Sequence, residues 1–337
     1  MTAEARSIGV VLFQLGGPDS LEAVEPFLTN LFSDPDIIDF PFARLARPTL
    51  ARLVARNRAG KVRHHYGEIG GGSPIRELTE RQARALEKEL GRVVNARVWV
   101  AMRYWHPLTE EVVREVAAAR PDELVLLPLY PQRSRVTTGS SLNEWNRQQA
   151  RVSSWRIPVK VVPEFFAHPP YLDALVENIN QALARFPAPP TAGPAGARVA
   201  MVFSAHGVPM SVIEGGDPYS RQTEETVELV MRRGGWPHPH LLCYQSRVGP
   251  GRWTEPMLHS TLENLRRAGA THVIVIPISF VTEHIETLHE INLEARQQAA
   301  HLGFRQFEMM PALNDSPRFI RCLADLVLKA VSAEVSR

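Results

Sequence analysis

The chain has 337 residues, 44% hydrophobic and 22% charged, enough to bury a full core and to form two domains of ordinary size. A net charge of +2 with dispersed basic residues speaks against nucleic acid as a partner. Two cysteines, Cys243 and Cys322, with no CxxC pair exclude a disulfide framework and an all-cysteine metal or cluster site within one chain.

The N-terminus, MTAEARSIGVVLF, has no basic leader ahead of a long apolar region, and no uninterrupted apolar window approaches the roughly 18 residues of a membrane span. A cytoplasmic, soluble protein is expected. Short apolar runs bounded by Pro, Gly and Ser then alternate with helical segments, the signature of βαβ units and a parallel sheet. In chain order the first half offers IGVVLFQLGGP (8–18), ARVWVAMRYWHP (96–107), ELVLLPLYPQ (123–132) and VKVVPEFF (159–166). The second half offers ARVAMVFSAHGVP (197–209), HLLCYQSRVGP (240–250), HVIVIPISF (272–280) and RQFEMMPAL (305–313).

The two sets match beyond strand count. VPEFFAHPPYLDAL from Val162 overlays MPALNDSPRFIRCL from Met310 without a gap, placing Pro163 on Pro311, Pro169 on Pro317 and Leu175 on Leu323. The expectation is an α/β protein of two similar Rossmann-like domains, each a four-stranded parallel sheet flanked by helices. Residues 1–165 form the first and 166–337 the second, with a Pro-rich linker or loop at RFPAPPTAGPAGAR and a C-terminal helix at about 316–335 able to pack back on the first domain.

Between the first two strands lies an insertion, 28–75, with no counterpart in the second half. There Phe32, Ile37, Ile38, Phe40, Phe42, Leu45, Leu50, Leu53 and Val54 interleave with Arg44, Arg47, Arg52, Arg56 and Arg58. That composition suits a lip over a large apolar ligand or at a membrane surface. An ordinary helix packed on its own domain accounts for the leucines as well, but less well for Phe40-Pro41-Phe42.

Ligands of open parallel sheets bind beyond the carboxyl ends of the strands, and there this chain is polar, aromatic and titratable. His206, in FSAHGVP, is held on a tight turn before Gly207 and Pro209. The stretch FVTEHIETLHEINLE supplies Glu283, His284, Glu286, Glu290 and Glu294, the last three recurring every fourth residue as one stacked row on a helix. Imidazole accepts a proton or binds a divalent metal, and carboxylates relay protons or bind cations; both roles stay open for His206 opposite Glu286. HIETLHE is not HExxH, and no GxGxxG, GxxxxGK[ST] or GxSxG is present, which disfavours a zinc protease, a nucleotide-binding Rossmann enzyme and an α/β-hydrolase.

Seven segments in order, LGGPDSLEAVEPFL, IGGGSPI, RYWHPLTEE, YPQRSRVTTGSS, FSAHGVPMSVIEGGDPY, CYQSRVGPGRW and FVTEHIETLHEINLE, resemble the ferrochelatase family over almost the whole chain. The resemblance implies two Rossmann-like domains with the active-site cleft between them, and insertion of ferrous iron into protoporphyrin IX to form protohaem at the end of haem biosynthesis. It implies His206 and Glu286 as the catalytic and metal-ligating pair, with the row Glu286, Glu290 and Glu294 on a helix with a π-type distortion. Glu283, His284, Glu290 and Glu294 would form the proton relay, and Leu15, Ser73, Arg103, Tyr104, Tyr130, Ser140 and Phe280 the porphyrin pocket, with Arg103 meeting a propionate.

The GGPDS turn lacks the tyrosine usual in the coproporphyrin branch, which favours protoporphyrin. No cysteine follows Cys322, so no iron–sulfur cluster and no resident cofactor is expected, with ferrous iron as substrate. The apolar lip implies peripheral contact with the inner membrane surface. The rival readings are a related chelatase for cobalt or nickel in another tetrapyrrole, and a non-catalytic porphyrin carrier.

Overall fold

The computed structural model describes residues 6–37, 43–187, 199–247 and 251–332, with the side chains of 43–45 left aside. Contacts divide the chain into two compact units, residues 1–165 with 314–337, and residues 166–313.

The first unit contains β1 (Ser7–Gln14), α1 (Val24–Phe32), α2 (Ala43–Glu68), α3 (Ile75–Leu90), β2 (Asn95–Met102), α4 (Thr109–Ala119), β3 (Glu123–Pro128), a π-helix π1 (Arg135–Gly139), α5 (Ser140–Gln149) and β4 (Val159–Val161). The second contains α6 (Pro169–Leu183), β5 (Val199–His206), α7 (Met210–Glu214), α8 (Tyr219–Gly234), β6 (His240–Gln245), α9 (Leu258–Arg267), β7 (His272–Pro277), a longer π-helix π2 (Glu286–Ala295), α10 (Arg296–His301) and β8 (Gln306–Met309). Helix α11 (Pro317–Ser332) returns to the first unit.

Both sheets are four-stranded and wholly parallel, in the orders β2-β1-β3-β4 and β6-β5-β7-β8. All eight sequence-predicted strands form. Their apolar residues run without alternation because helices cover both faces; Val10, Val11, Leu12 and Phe13 on β1, and Met201, Val202 and Phe203 on β5, are at most 1% exposed. In the first core Trp145 of α5 stands edge-on to Phe13 at 5.7 Å between ring centroids and to Trp155 at 5.9 Å.

The internal repeat extends to single residues. Phe13 pairs with Pro128 as Ser204 pairs with Pro277, which sets Leu15 against His206. Gln14 pairs with Met102 as Ala205 pairs with Tyr244, which sets Arg103 against Gln245. Both β2 and β6 run into a turn with a cis X-Pro bond, where Met102 N donates to Pro107 O and Tyr244 N to Pro256 O, each at 2.8 Å.

The division between units falls at 165/166; the Pro-rich segment follows α6 in the chain, with residues 188–198 outside the described residues. Residues 314–337, counted with the second domain but with a helix able to pack back on the first, group with the first unit, where α11 packs on α3, β3 and β4; α6 correspondingly packs on β7, β8 and α8. Each helix opens on a proline, suited to a first turn whose N–H groups need no intrahelical partner. Each unit is thus completed by the helix that follows the other unit's last strand.

In the 28–75 insertion, α2 packs on α1 and buries small residues, Ala51, Ala55 and Ala59, while Leu50 is 42% and Leu53 64% exposed. That is the reverse of an ordinary leucine-in helix. The residues at 38–42 that carry Phe40 and Phe42 lie outside the described residues, as does the side chain of Leu45.

Candidate active site

The second unit gathers its titratable groups where β5, β6 and β7 end. The backbone of His206 is clamped: its N–H donates to Ser279 Oγ at 3.1 Å, and its carbonyl accepts from the Tyr219 hydroxyl at 3.0 Å. Gly207 follows because a Cβ there would lie 2.8 Å from the Gln245 carbonyl oxygen, which accepts the Gly207 N–H at 2.7 Å.

On the imidazole, Nδ1 meets Glu286 Oε2 at 2.8 Å, and Nε2 has no partner among the described residues; the side chain is 35% exposed. The same Glu286 oxygen lies 3.5 Å from Nε2 of the buried His284. The Nδ1 of His284 is 3.1 Å from the Thr282 carbonyl, an acceptor only, so Nδ1 carries a proton and Nε2 is the atom turned to the carboxylate.

Phe280 closes the group, with its ring perpendicular to His206 at 6.3 Å and tilted on His284 at 4.7 Å.

Four residues of π2 onward hold the second carboxylate. Glu290 Oε2 accepts from Gln245 Nε2 at 3.2 Å and from the Ser246 hydroxyl. Burial and the Glu286 charge nonetheless push its pKa up to about 7. Burial alone would also raise Glu286, but His206 and His284 overcome it and hold Glu286 well below the usual carboxylate range. For His206, burial works downward and the Glu286 carboxylate more than offsets it, so the imidazole pKa is raised. Two neighbouring carboxyls with pKa values driven apart define a fixed anion and a proton carrier.

Gln245 was not singled out in the sequence and is central here. It is 4% exposed, donates to the Glu286 carbonyl at 2.9 Å and to Glu290, and accepts from Ser204 Oγ at 2.7 Å. It ties the first turn of π2 to the edge strand β6 and its neighbour β5. A neutral amide beside SRVGP carries no sequence signal for that role.

His206, His284, Glu286, Glu290 and Phe280 therefore come together. Glu283 does not join them: its carboxylate accepts from Ala312 N at 2.8 Å and from the Thr287 hydroxyl, bracing the turn into π2. Glu294 is 56% exposed and lies 3.7 Å from buried His289.

The expected pocket residues of the first unit also cluster. Arg103, Tyr104 and Ser140 converge on Asp34, a buried aspartate absent from the sequence expectations. Tyr130 is half-buried, its phenol pushed up to about 12 by burial. Leu15 is half-buried and its carbonyl accepts Tyr104 N at 3.0 Å. Ser73 packs on the first-strand turn, where a Cβ on Gly17 would lie 2.6 Å from the Ser73 side chain.

This fold is shared with chelatases. The structures of SirB from Bacillus subtilis with Fe3+ and of the sirohydrochlorin chelatase SirB from Bacillus subtilis subspecies spizizenii in complex with cobalt each superpose with a TM-score of 0.56, at 10% and 9% identity, covering 98% of both chains. At that identity the likeness is one of fold. The ferrochelatase family model, in turn, matches residues 7–331. The ferrochelatase of Nostoc sp. is 46% identical over 328 residues, 96% of this chain and 82% of the relative. That of Geotalea uraniireducens is 47% identical over 325 residues, 96% and 98%. The chain belongs to the ferrochelatase family and is a metal chelatase.

Proposed function

We propose that the protein inserts ferrous iron into protoporphyrin IX to give protohaem, the last step of haem biosynthesis, and that His206 and Glu286 carry the reaction. The observation that carries the assignment of roles is the 2.8 Å contact of His206 Nδ1 with Glu286, which leaves Nε2 without a described partner. Metal insertion releases two pyrrole protons. Nε2 accepts one, the Glu286 anion stabilises the imidazolium that results, and Glu290, with a pKa of about 7, takes protons onward at neutral pH. An imidazole nitrogen and a carboxylate also suit ferrous iron as substrate, with His284 backing the carboxylate.

An anaerobic assay with protoporphyrin IX and ferrous iron, following the change from free-base to metalloporphyrin absorbance, tests this. Wild type turns over many times; His206→Ala and Glu286→Gln bind porphyrin and stall. Stoichiometric binding without turnover in wild type, with any porphyrin or metal, leaves a carrier instead.

The same reading includes cytoplasmic protein resting on the inner membrane surface, with no resident cofactor and no nucleic-acid partner. An iron–sulfur cluster takes four ligands, whereas the chain has two cysteines, both buried with thiols pushed up to about 12. Helix α2 supports membrane contact: it carries seven arginine or lysine residues against Glu68 alone, beside exposed Leu50 and Leu53. No helix among the described residues is long and apolar enough to cross a membrane. Flotation with anionic vesicles checks it: Leu50→Glu with Leu53→Glu loses vesicle binding while turnover in detergent solution persists.

A further inference from the structure

We propose that Asp34 is a positioning residue that presets Arg103 to receive a substrate carboxylate. The proposal rests on the porphyrin reading above, in which Arg103 meets a propionate.

Asp34 sits in SDPD just after α1 and is 2% exposed. Its Oδ2 accepts from the Tyr104 hydroxyl at 2.6 Å and from Ser140 Oγ at 2.5 Å. Its Oδ1 accepts from Asp36 N at 2.9 Å and pairs with Arg103 Nη2 at 2.9 Å. One buried carboxylate thus collects four donors from the segments after α1, after β2 and at the start of α5. A buried charge is costly unless its lone pairs are filled, and these are.

The consequence falls on Arg103. Its Nε donates to Ser140 Oγ at 2.8 Å, its Nη2 is held by Asp34, and its guanidinium lies 5.0 Å from the Tyr104 ring centroid. The guanidinium is rigid and planar, so fixing Nε and Nη2 fixes the direction of Nη1. Nη1 has no partner among the described residues, and the side chain is 11% exposed. Arg103 is therefore an ordered donor with one nitrogen to offer, and a carboxylate arriving there need not order a long flexible side chain.

Asp34→Asn is the informative variant. Its amide can donate from the Oδ2 position to the Tyr104 and Ser140 oxygens, so the packing survives, but a neutral oxygen holds Arg103 Nη2 more weakly than the carboxylate does and the guanidinium is no longer fixed.

The test is porphyrin binding, read by tryptophan fluorescence quenching, with protoporphyrin IX and its dimethyl ester on wild type, D34N, R103Q, S140A and D34N/R103Q. Losing a charge-assisted hydrogen bond weakens diacid binding by about tenfold; D34N and R103Q should each show this, leave ester binding unchanged, and not add in the double variant. If R103Q loses diacid selectivity and D34N binds as wild type, or D34N weakens diacid and ester alike, Asp34 is structural and the proposal is overturned. If R103Q changes nothing, Arg103 does not meet a carboxylate, and the underlying pocket reading fails with the proposal. Should D34N not fold, S140A, which removes the Nε tether together with one donor to Asp34, decides: a smaller diacid-selective loss supports the proposal and wild-type binding overturns it.

Discussion

The two units share strand order, register and a π-helix after the third strand, yet they put opposite chemistry at matching positions. Where the second unit has His206, the first has Leu15; where the second has Gln245, the first has Arg103. The first unit's polar groups close on themselves, with Asp34 against Arg103, and Arg147 paired to both Glu144 and Asp36. Opposite charges there cancel locally, and burial pushing Asp34 upward is overcome by Arg103, Ser140 and Tyr104, so its carboxyl is lowered. The second unit instead sets two carboxyls beside two imidazoles, and the pKa values of the carboxyls are driven apart. Two units of one topology can therefore differ, one with its charges paired and the other with its titratable groups in contact.

Moving the imidazole breaks the comparison most severely. His206→Ala should lower turnover by a factor on the order of 10² to 10⁴, the usual worth of a positioned base. Adding Leu15→His to that variant should restore nothing, because π1, RVTTG, offers no carboxylate to a histidine there. Recovery of activity in the double variant would mean the two strand ends are chemically interchangeable.

A smaller effect follows from Glu290→Gln. The folded carboxyl titrates near 7 against an ordinary 4.5, so between those values the folded state holds more protons than the unfolded one. Stability contributed by this group is full below about pH 4.5 and declines as pH rises toward 7. Thermal unfolding midpoints across pH 4 to 8 should therefore fall less steeply in the variant, with turnover near pH 7 reduced by about tenfold or more. An unchanged slope would remove Glu290 from the relay.

The smallest effect is expected in the first unit's outer ring. Asn143 Nδ2 donates to Asp36 at 2.8 Å on an exposed face, so Asn143→Ala should cost no more than about 1 kcal/mol in denaturant unfolding and leave turnover intact.

Much of this was legible in the sequence. All eight strands announced themselves as apolar runs ending at Pro, Gly or Ser, and the overlaid Pro169 and Pro317 turn out to open the helices α6 and α11. His206 and Glu286 were legible as strand-end chemistry and through the ferrochelatase-like segments. The π-helix was not readable from spacing alone, since glutamates four apart also describe an α-helix, and its first turn is anchored by a side chain from another strand, Gln245. Asp34 was hidden for a related reason. SDPD reads as a turn that ends a helix, while the hydroxyls that fill its carboxylate stand 70 and 106 positions along the chain.

The reciprocal exchange of α6 and α11 governs how the chain can be assembled or divided. A ribosome that has released residues 1–165 has made every strand of the first sheet but not the helix that covers β3 and β4; that helix arrives last. A cut at 165/166 gives two fragments that each lack a native helix and carry a spare one. Neither half of such a cut corresponds to one of the compact units.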